Sequence, residues 1–143
     1  MSTVKVDTIQ TTGGASEIAI DKLKGVSAAS SISVVAEGGT TTTNLQQGLG
    51  KAFIHGNGSA SVQDSFNIGS GTDNGTGNYT YSITNDMASI NHAPTMTTRG
   101  AEIAGVTNAN LSTGSIVVLT YLSNGTSGAV DQFNYTVTHG DLA

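Results

Sequence analysis

Three histidines, His55, His92 and His139, are the first residues in this chain with types suited to chemistry. Zinc sites draw their ligands from short paired spacings, and these three are scattered without one. The chain has no cysteine, which removes disulfides and Cys-ligated zinc. Asp73, Asn74 and Gly75 share residue types with calcium loops. The D-x-[DN]-x-[DN]-G register and the closing Glu are nevertheless missing, and ordinary turn chemistry accounts for all three. Serines are abundant, yet no G-x-S-x-G elbow occurs and no Asp/His pair is indicated beside one. The carboxylates show no paired-acid pattern, and no glycine-rich piece ends in the Gly-Lys-Ser/Thr of a phosphate loop. The triplets Asn57-Gly58-Ser59, Asn74-Gly75-Thr76 and Asn134-Tyr135-Thr136 match the glycosylation pattern. In a chain this rich in Asn, Ser and Thr they are expected by chance. The sequence therefore predicts no catalytic residue, no metal site and no cofactor.

The elements that would position any functional side chain are strands. From Ala60 to Ile68, "ASVQDSFNI" puts Ala60, Val62, Asp64, Phe66 and Ile68 on one face, with Ser61, Gln63, Ser65 and Asn67 on the other. Beyond "GSGTDNGTG", Tyr79, Tyr81 and Ile83 alternate with Asn78, Thr80, Ser82 and Thr84. This period of two marks half-buried antiparallel strands. Asp73, Asn74, Gly75 and Gly77 supply the residues that a tight connection tolerates. Further strands are expected in "KAFIHG", "MASINH", "TMTTRGAEI", "GSIVVLTYL" and "AVDQFNYTVTHG". Pro94 marks a bend or an edge. "SNGTSG" is another turn, and the last strand alternates through Phe133, Tyr135 and Val137. About seven strands between residues 51 and 143 predict an antiparallel β-sandwich. The four tyrosines, Tyr79, Tyr81, Tyr121 and Tyr135, are expected mostly in its core.

Two zones precede that domain. Residues 1–25 contain "TVKVDTIQ" and "SEIAIDKL", two short extended candidates with too little apolar surface to be stable alone. They need the rest of the chain, a sister subunit or a docking protein. Residues 26–50 are biased toward small residues and read as a linker. It holds one strand candidate, "SISVVAE", and one helical turn that Asn44 and Gln47 are placed to cap.

Composition narrows the partners. Charged residues are only 10% of the 143, against the ~25% usual in soluble domains. Ser, Thr, Asn and 19 glycines take their place. A net charge of −5 with five Lys and Arg argues against nucleic acid, which needs clustered cations to displace counterions. The opening residues hold no apolar stretch typical of a secretory signal. The longest apolar run, Ser115 to Leu122, is far short of the ~20 residues of a membrane-spanning helix. No membrane insertion is expected.

Three stretches carry a family resemblance. The opening "STVKVDTIQTTGG" resembles the N-terminal segment of tail-fibre and other appendage proteins of marine bacteriophages, cyanophages especially. "LGKAFIHGNGSASVQDSFNIGSGTDNGTGNYTYSIT" is similar to a block that recurs in those proteins. "VTHGDLA" resembles their common terminus, with His139 standing where they carry an aromatic. The resemblance covers both ends and the middle of the chain, and does not extend to residues 26–43 or 87–124. It implies an all-β homotrimer that is a virion structural protein, assembled in the host cytoplasm, with an N-terminal segment attached to another virion protein. Under that reading Val4, Val6, Ile9, Ile18, Ile20 and Leu23 form the anchor or the intersubunit packing. The turn residues Asp73, Asn74, Thr76, Asn124 and Thr126 are the candidates for contact with a host-surface glycan or protein. The function it implies is that of a short tail fibre contributing to host attachment. The alternative is a capsid decoration or cement protein, or a head fibre, that stabilises the particle or adheres weakly to surfaces.

Overall fold

The computed structural model describes residues 21–23, 32–35, 39–100, 103–106, 111–122 and 128–143. The protein is all-β, with one short helix among the described residues. A two-stranded antiparallel ribbon, β1 (Ser33–Val35) and β2 (Thr42–Asn44), leads into a single helical turn, α1 (Leu45–Gly48). The Leu45 amide donates to the Ile32 carbonyl at 2.9 Å and ties that turn to the ribbon.

Eight strands build the sandwich: β3 (Gly50–Gly56), β4 (Val62–Phe66), β5 (Ile68–Asp73), β6 (Asn78–Ile83), β7 (Ala93–Thr98), β8 (Ile103–Val106), β9 (Ser115–Tyr121) and β10 (Asn134–His139). They form two four-stranded sheets, β4-β3-β10-β7 and β5-β6-β9-β8, in which every neighbouring pair is antiparallel. Pro94 sits in β7, an edge strand of the first sheet, where a missing amide hydrogen is tolerated.

Three of the expected strands come out differently. "MASINH" forms no strand; Met87 makes one isolated bridge to Leu142 and the rest is a mostly exposed loop. "TMTTRGAEI" contributes to two strands, β7 and β8, in different sheets. The run from Ala60 to Ile68 also divides. Asn67 takes a left-handed conformation (φ 59°), and the chain leaves the first sheet there and enters the second. Asn is among the few side chains that adopt this conformation readily. Its carboxamide fastens the corner: Nδ2 donates to the Lys51 and Asn85 carbonyls at 3.0 Å each, and Oδ1 accepts from the Asn85 amide at 2.7 Å. Phe66 and Ile68 therefore belong to different sheets.

"GSG", which looks like part of the turn, lies within β5. Gly71 is needed there for space: a methyl at its α-carbon would overlap the Ala60 carbonyl oxygen and lie 3.0 Å from the Tyr81 ring.

The core lies between the sheets and is lopsided. The second sheet contributes Tyr79, Tyr81, Ile83, Ile116 and Val118, all buried. The first contributes Ile54 and Ala52 from β3, while β10 turns Asn134, Thr136 and Thr138 inward. Two buried tyrosines fill so much of the gap that the facing positions must be small. Interiors close to crystal-like density only when large residues meet small ones.

The candidate binding surface

Filling the core from one side sends the aromatic residues of the first sheet outward. On its outer face, Phe53 of β3 stands directly opposite Phe66 of β4. Their rings stack with centroids 6.5 Å apart and planes at 22°. Phe53 is 39% exposed and Phe66 55%. Two residues along β3, the His55 ring stacks on Tyr135 at 4.7 Å and lies 5.9 Å from Phe133. The Arg99 guanidinium sits over the Phe133 ring, 5.4 Å from its centroid, within reach of a cation–π attraction. Phe53, His55, Tyr135, Val137, Thr95 and Thr97 line a solvent-open trough of about 480 Å³ over β3, β10 and β7. The His55 Nε2 is buried and has no hydrogen-bond partner.

The outer face of the second sheet is chemically different. Ser70 and Ser82 hydroxyls pair at 2.9 Å, and Thr72 lies opposite Thr80. That hydroxyl-lined stretch is satisfied by water, while β9 places Val117, Leu119 and the 42% exposed Tyr121 on the same face. Contiguous exposed aromatic patches on small domains are candidate interaction surfaces.

Among the sequence candidates, Asp73, Asn74 and Thr76 are exposed at the tip of the β5–β6 hairpin. The Gly75 amide donates to Asp73 Oδ1 at 2.9 Å, and Asn74 Nδ2 donates to Thr80 Oγ1 at 2.8 Å. The base of the hairpin is clamped from across the chain. Asp131 Oδ1 accepts from the Gly77 amide at 2.7 Å and from the Tyr79 hydroxyl at 3.2 Å, and the Gln132 amide donates to that hydroxyl at 3.1 Å. Burial, reinforced by the Asp131 charge and partly offset by hydrogen bonds from Gln132 and Thr120, raises the Tyr79 phenol above its ordinary pKa.

Leu23 is 62% exposed. Val4, Val6, Ile9, Ile18, Ile20, Asn124 and Thr126 lie outside the described residues. His92 is buried: Nε2 donates to the Ser112 carbonyl at 3.0 Å, which leaves Nδ1 to accept from the Thr138 hydroxyl at 3.1 Å. That is the bonding of a histidine that holds a loop to a strand. Among the described residues, no group of three or more His, Asp or Glu is placed to hold a metal ion, and no helix is long and apolar enough to cross a membrane.

The sequence reading missed the aromatic face because it ran Phe66 together with Ile68 and grouped Phe133, Tyr135 and Val137 without their sheet. Tyr135 is only half-buried and Tyr121 is 42% exposed, so two of the four tyrosines lie outside the core. The available signal was in "AFIHG", where both alternating sets hold apolar or aromatic residues, as they must in a strand with something to cover on each side. No family model, curated protein or solved structure matches this chain.

Proposed function

We propose that this chain is a non-enzymatic structural protein of a bacteriophage virion, a short tail fibre or appendage that contributes to host-surface attachment as a homotrimer. The observation that carries the reading is the contrast between the two outer faces of the sandwich. One is aromatic, with the stacked Phe53 and Phe66 pair beside the His55–Tyr135 stack. The other carries Ser70, Ser82, Thr72 and Thr80 on β5 and β6 and ends in the exposed Asp73–Thr76 tip, with Val117, Leu119 and Tyr121 of β9 beside them. A subunit that packs on sister copies through the first face presents the second, with its hairpin tip, to the surroundings. Trimerisation then removes from water a sheet face that a monomer leaves exposed. The resemblance of the opening segment and of the Leu49–Thr84 block to phage appendages supports the same reading, with the N-terminal segment as the virion attachment.

The test uses particles of the phage that encodes the chain. Antibody against the protein is expected to label the tail in electron micrographs and to block adsorption to host cells. Label on the head, with adsorption intact and particle stability lost on depletion, would replace this reading with the capsid-decoration one. Particles without label would overturn both. Native mass measurement of the purified protein tests the trimer, and Phe53→Ser with Phe66→Ser is expected to yield folded monomers.

A further inference from the structure

We propose that the Asn74-Gly75 turn is a self-deamidating site: a position where the folded protein itself promotes conversion of Asn74 to aspartate and isoaspartate. The reaction begins when the Gly75 nitrogen attacks Asn74 Cγ. A new C–N bond closes a five-membered imide, the Cγ–Nδ2 bond breaks, and ammonia leaves with a proton equivalent to the one Gly75 gives up. Water then opens the imide. Cleavage at Cγ restores the normal backbone with aspartate at position 74, and cleavage at the α-carbonyl routes the chain through the side chain as isoaspartate. No oxidant or reductant enters, and water is the one co-reactant.

Three groups stand where this chemistry needs them. The nucleophile's proton already points at a base, since the Gly75 amide donates to Asp73 Oδ1 at 2.9 Å. The leaving nitrogen already touches a proton source: Asn74 Nδ2 is 2.8 Å from Thr80 Oγ1. In the amide that contact runs from nitrogen to oxygen. It reverses once Cγ becomes tetrahedral and the nitrogen gains a basic lone pair, so Thr80 hands over its hydroxyl proton and recovers one from solvent. The third condition is room to move. Residues 73–76 are exposed, and Gly75 (φ 116°) has nothing within 4 Å of where a Cβ would be. General acid and base groups held in place contribute ~10²–10⁴-fold in enzymes; an exposed turn realises only part of that.

The molecule carries its own control. Asn57-Gly58 is the same dipeptide in the β3–β4 loop, but its carboxamide is held through the oxygen by three bonds, whereas Asn74 is held only through its leaving nitrogen, by Thr80 Oγ1 at 2.8 Å and Asn78 Oδ1 at 3.4 Å. Asn57 Oδ1 accepts from the Ser59 amide at 3.0 Å, the Ser59 hydroxyl at 2.9 Å and the Ser61 amide at 2.9 Å. Gly58 packs against Asp131 and Gln132, with 3.1 Å from a would-be Cβ to the Asp131 backbone carbon. Asn57 Cγ cannot reach the Gly58 nitrogen without breaking all three bonds in a crowded loop. The third Asn-Gly pair, Asn124-Gly125, lies outside the described residues. Modification of Asn74 adds a negative charge beside Asp73, and the isoaspartate form adds a backbone carbon to a tight hairpin, so the tip changes with age.

The experiment incubates the purified full chain in neutral and mildly alkaline buffer and maps peptides by mass spectrometry, separating aspartate from isoaspartate. Deamidation at Asn74 is expected at least about ten-fold faster than at Asn57, which corresponds to ~1.4 kcal/mol in barrier. Asp73→Ser keeps a hydrogen-bond acceptor without the carboxylate, and Thr80→Val removes the hydroxyl. Each is expected to slow Asn74 several-fold and leave Asn57 unchanged. Equal rates at the two asparagines in the native chain would overturn the proposal. So would an undiminished Asn74 rate in both variants, with circular dichroism showing them folded.

Discussion

Replacing Gly56 with alanine separates two expectations of opposite sign. In a strand, glycine costs about 0.5–1 kcal/mol relative to alanine through backbone entropy. The φ of Gly56 is not in the positive region, so propensity alone predicts that Gly56→Ala stabilises. Packing predicts the reverse. A methyl at position 56 would overlap the Tyr81 hydroxyl oxygen, with the Tyr81 Cζ at 2.8 Å and Asn134 Oδ1 at 2.9 Å. Tyr81 is fully buried among Ile54, Tyr79 and Ile116, so its ring has nowhere to go without displacing the core. Overpacking of this kind costs ~1–3 kcal/mol, and sometimes more. The net is a loss of about 1–2 kcal/mol. For a sandwich of this size that lowers Tm by roughly 5–15 °C. Thermal unfolding followed by circular dichroism measures it, and a double-mutant cycle with Tyr81→Phe locates the cause. The Tyr81 hydroxyl has no hydrogen-bond partner, so Tyr81→Phe alone should cost under about 1 kcal/mol. In the Gly56→Ala background it should return part of the loss, because the oxygen is gone while Cζ stays close. A Gly56→Ala protein as stable as the native one refutes the argument. Strictly additive effects of the two substitutions refute the assignment to that contact.

Other outcomes follow from the same geometry. Asn67→Ala forces a left-handed alanine and removes the corner's side-chain hydrogen bonds, so chemical denaturation should show a loss of about 2–4 kcal/mol. Asn67→Gly keeps the conformation and should lose less. Burial raises the pKa of both Tyr79 and Tyr81. The unfolded chain therefore releases their protons first as pH climbs past ~10, and stability falls across the interval up to the raised folded values. Near-ultraviolet tyrosinate absorbance should thus rise together with unfolding, and two ionisations that precede any loss of structure would contradict it. Asp131→Ala strips the acceptor from the Gly77 amide and the Tyr79 hydroxyl. It should cost ~1–3 kcal/mol and speed amide hydrogen exchange at the hairpin base.

Much of the architecture is legible in the chain. Alternation in "NYTYSI" is so regular that strand type and inward face both follow, and the buried set carries Tyr79 and Tyr81; "SIVVLTY" is a continuous apolar run, which marks a strand without telling that Ile116 and Val118 are its buried residues. Pro94 pointed to a bend or an edge, and it lies in an edge strand. The splitting at Asn67 was not legible, because nothing local distinguishes an asparagine on a polar face from one in a left-handed corner. The glycines between Ile68 and Asp73 were misleading for a related reason. Two uses of glycine, turning and close approach, look the same in one dimension.

The aromatic surface shows where local reading ends. In β10 a period of two offers two faces, Asn134-Thr136-Thr138 and Tyr135-Val137-His139. Hydrophobicity alone would bury the second, and the protein buries the first. The decision is made across the gap between sheets, where Tyr79 and Tyr81 already occupy the volume and leave space only for small side chains. A sequence by itself determined the all-β composition, the hairpin at Asp73 to Asn78 and the set of possible faces. Which face meets water depends on how much volume the opposite sheet has filled, and that is a property of two strands that neither contains alone.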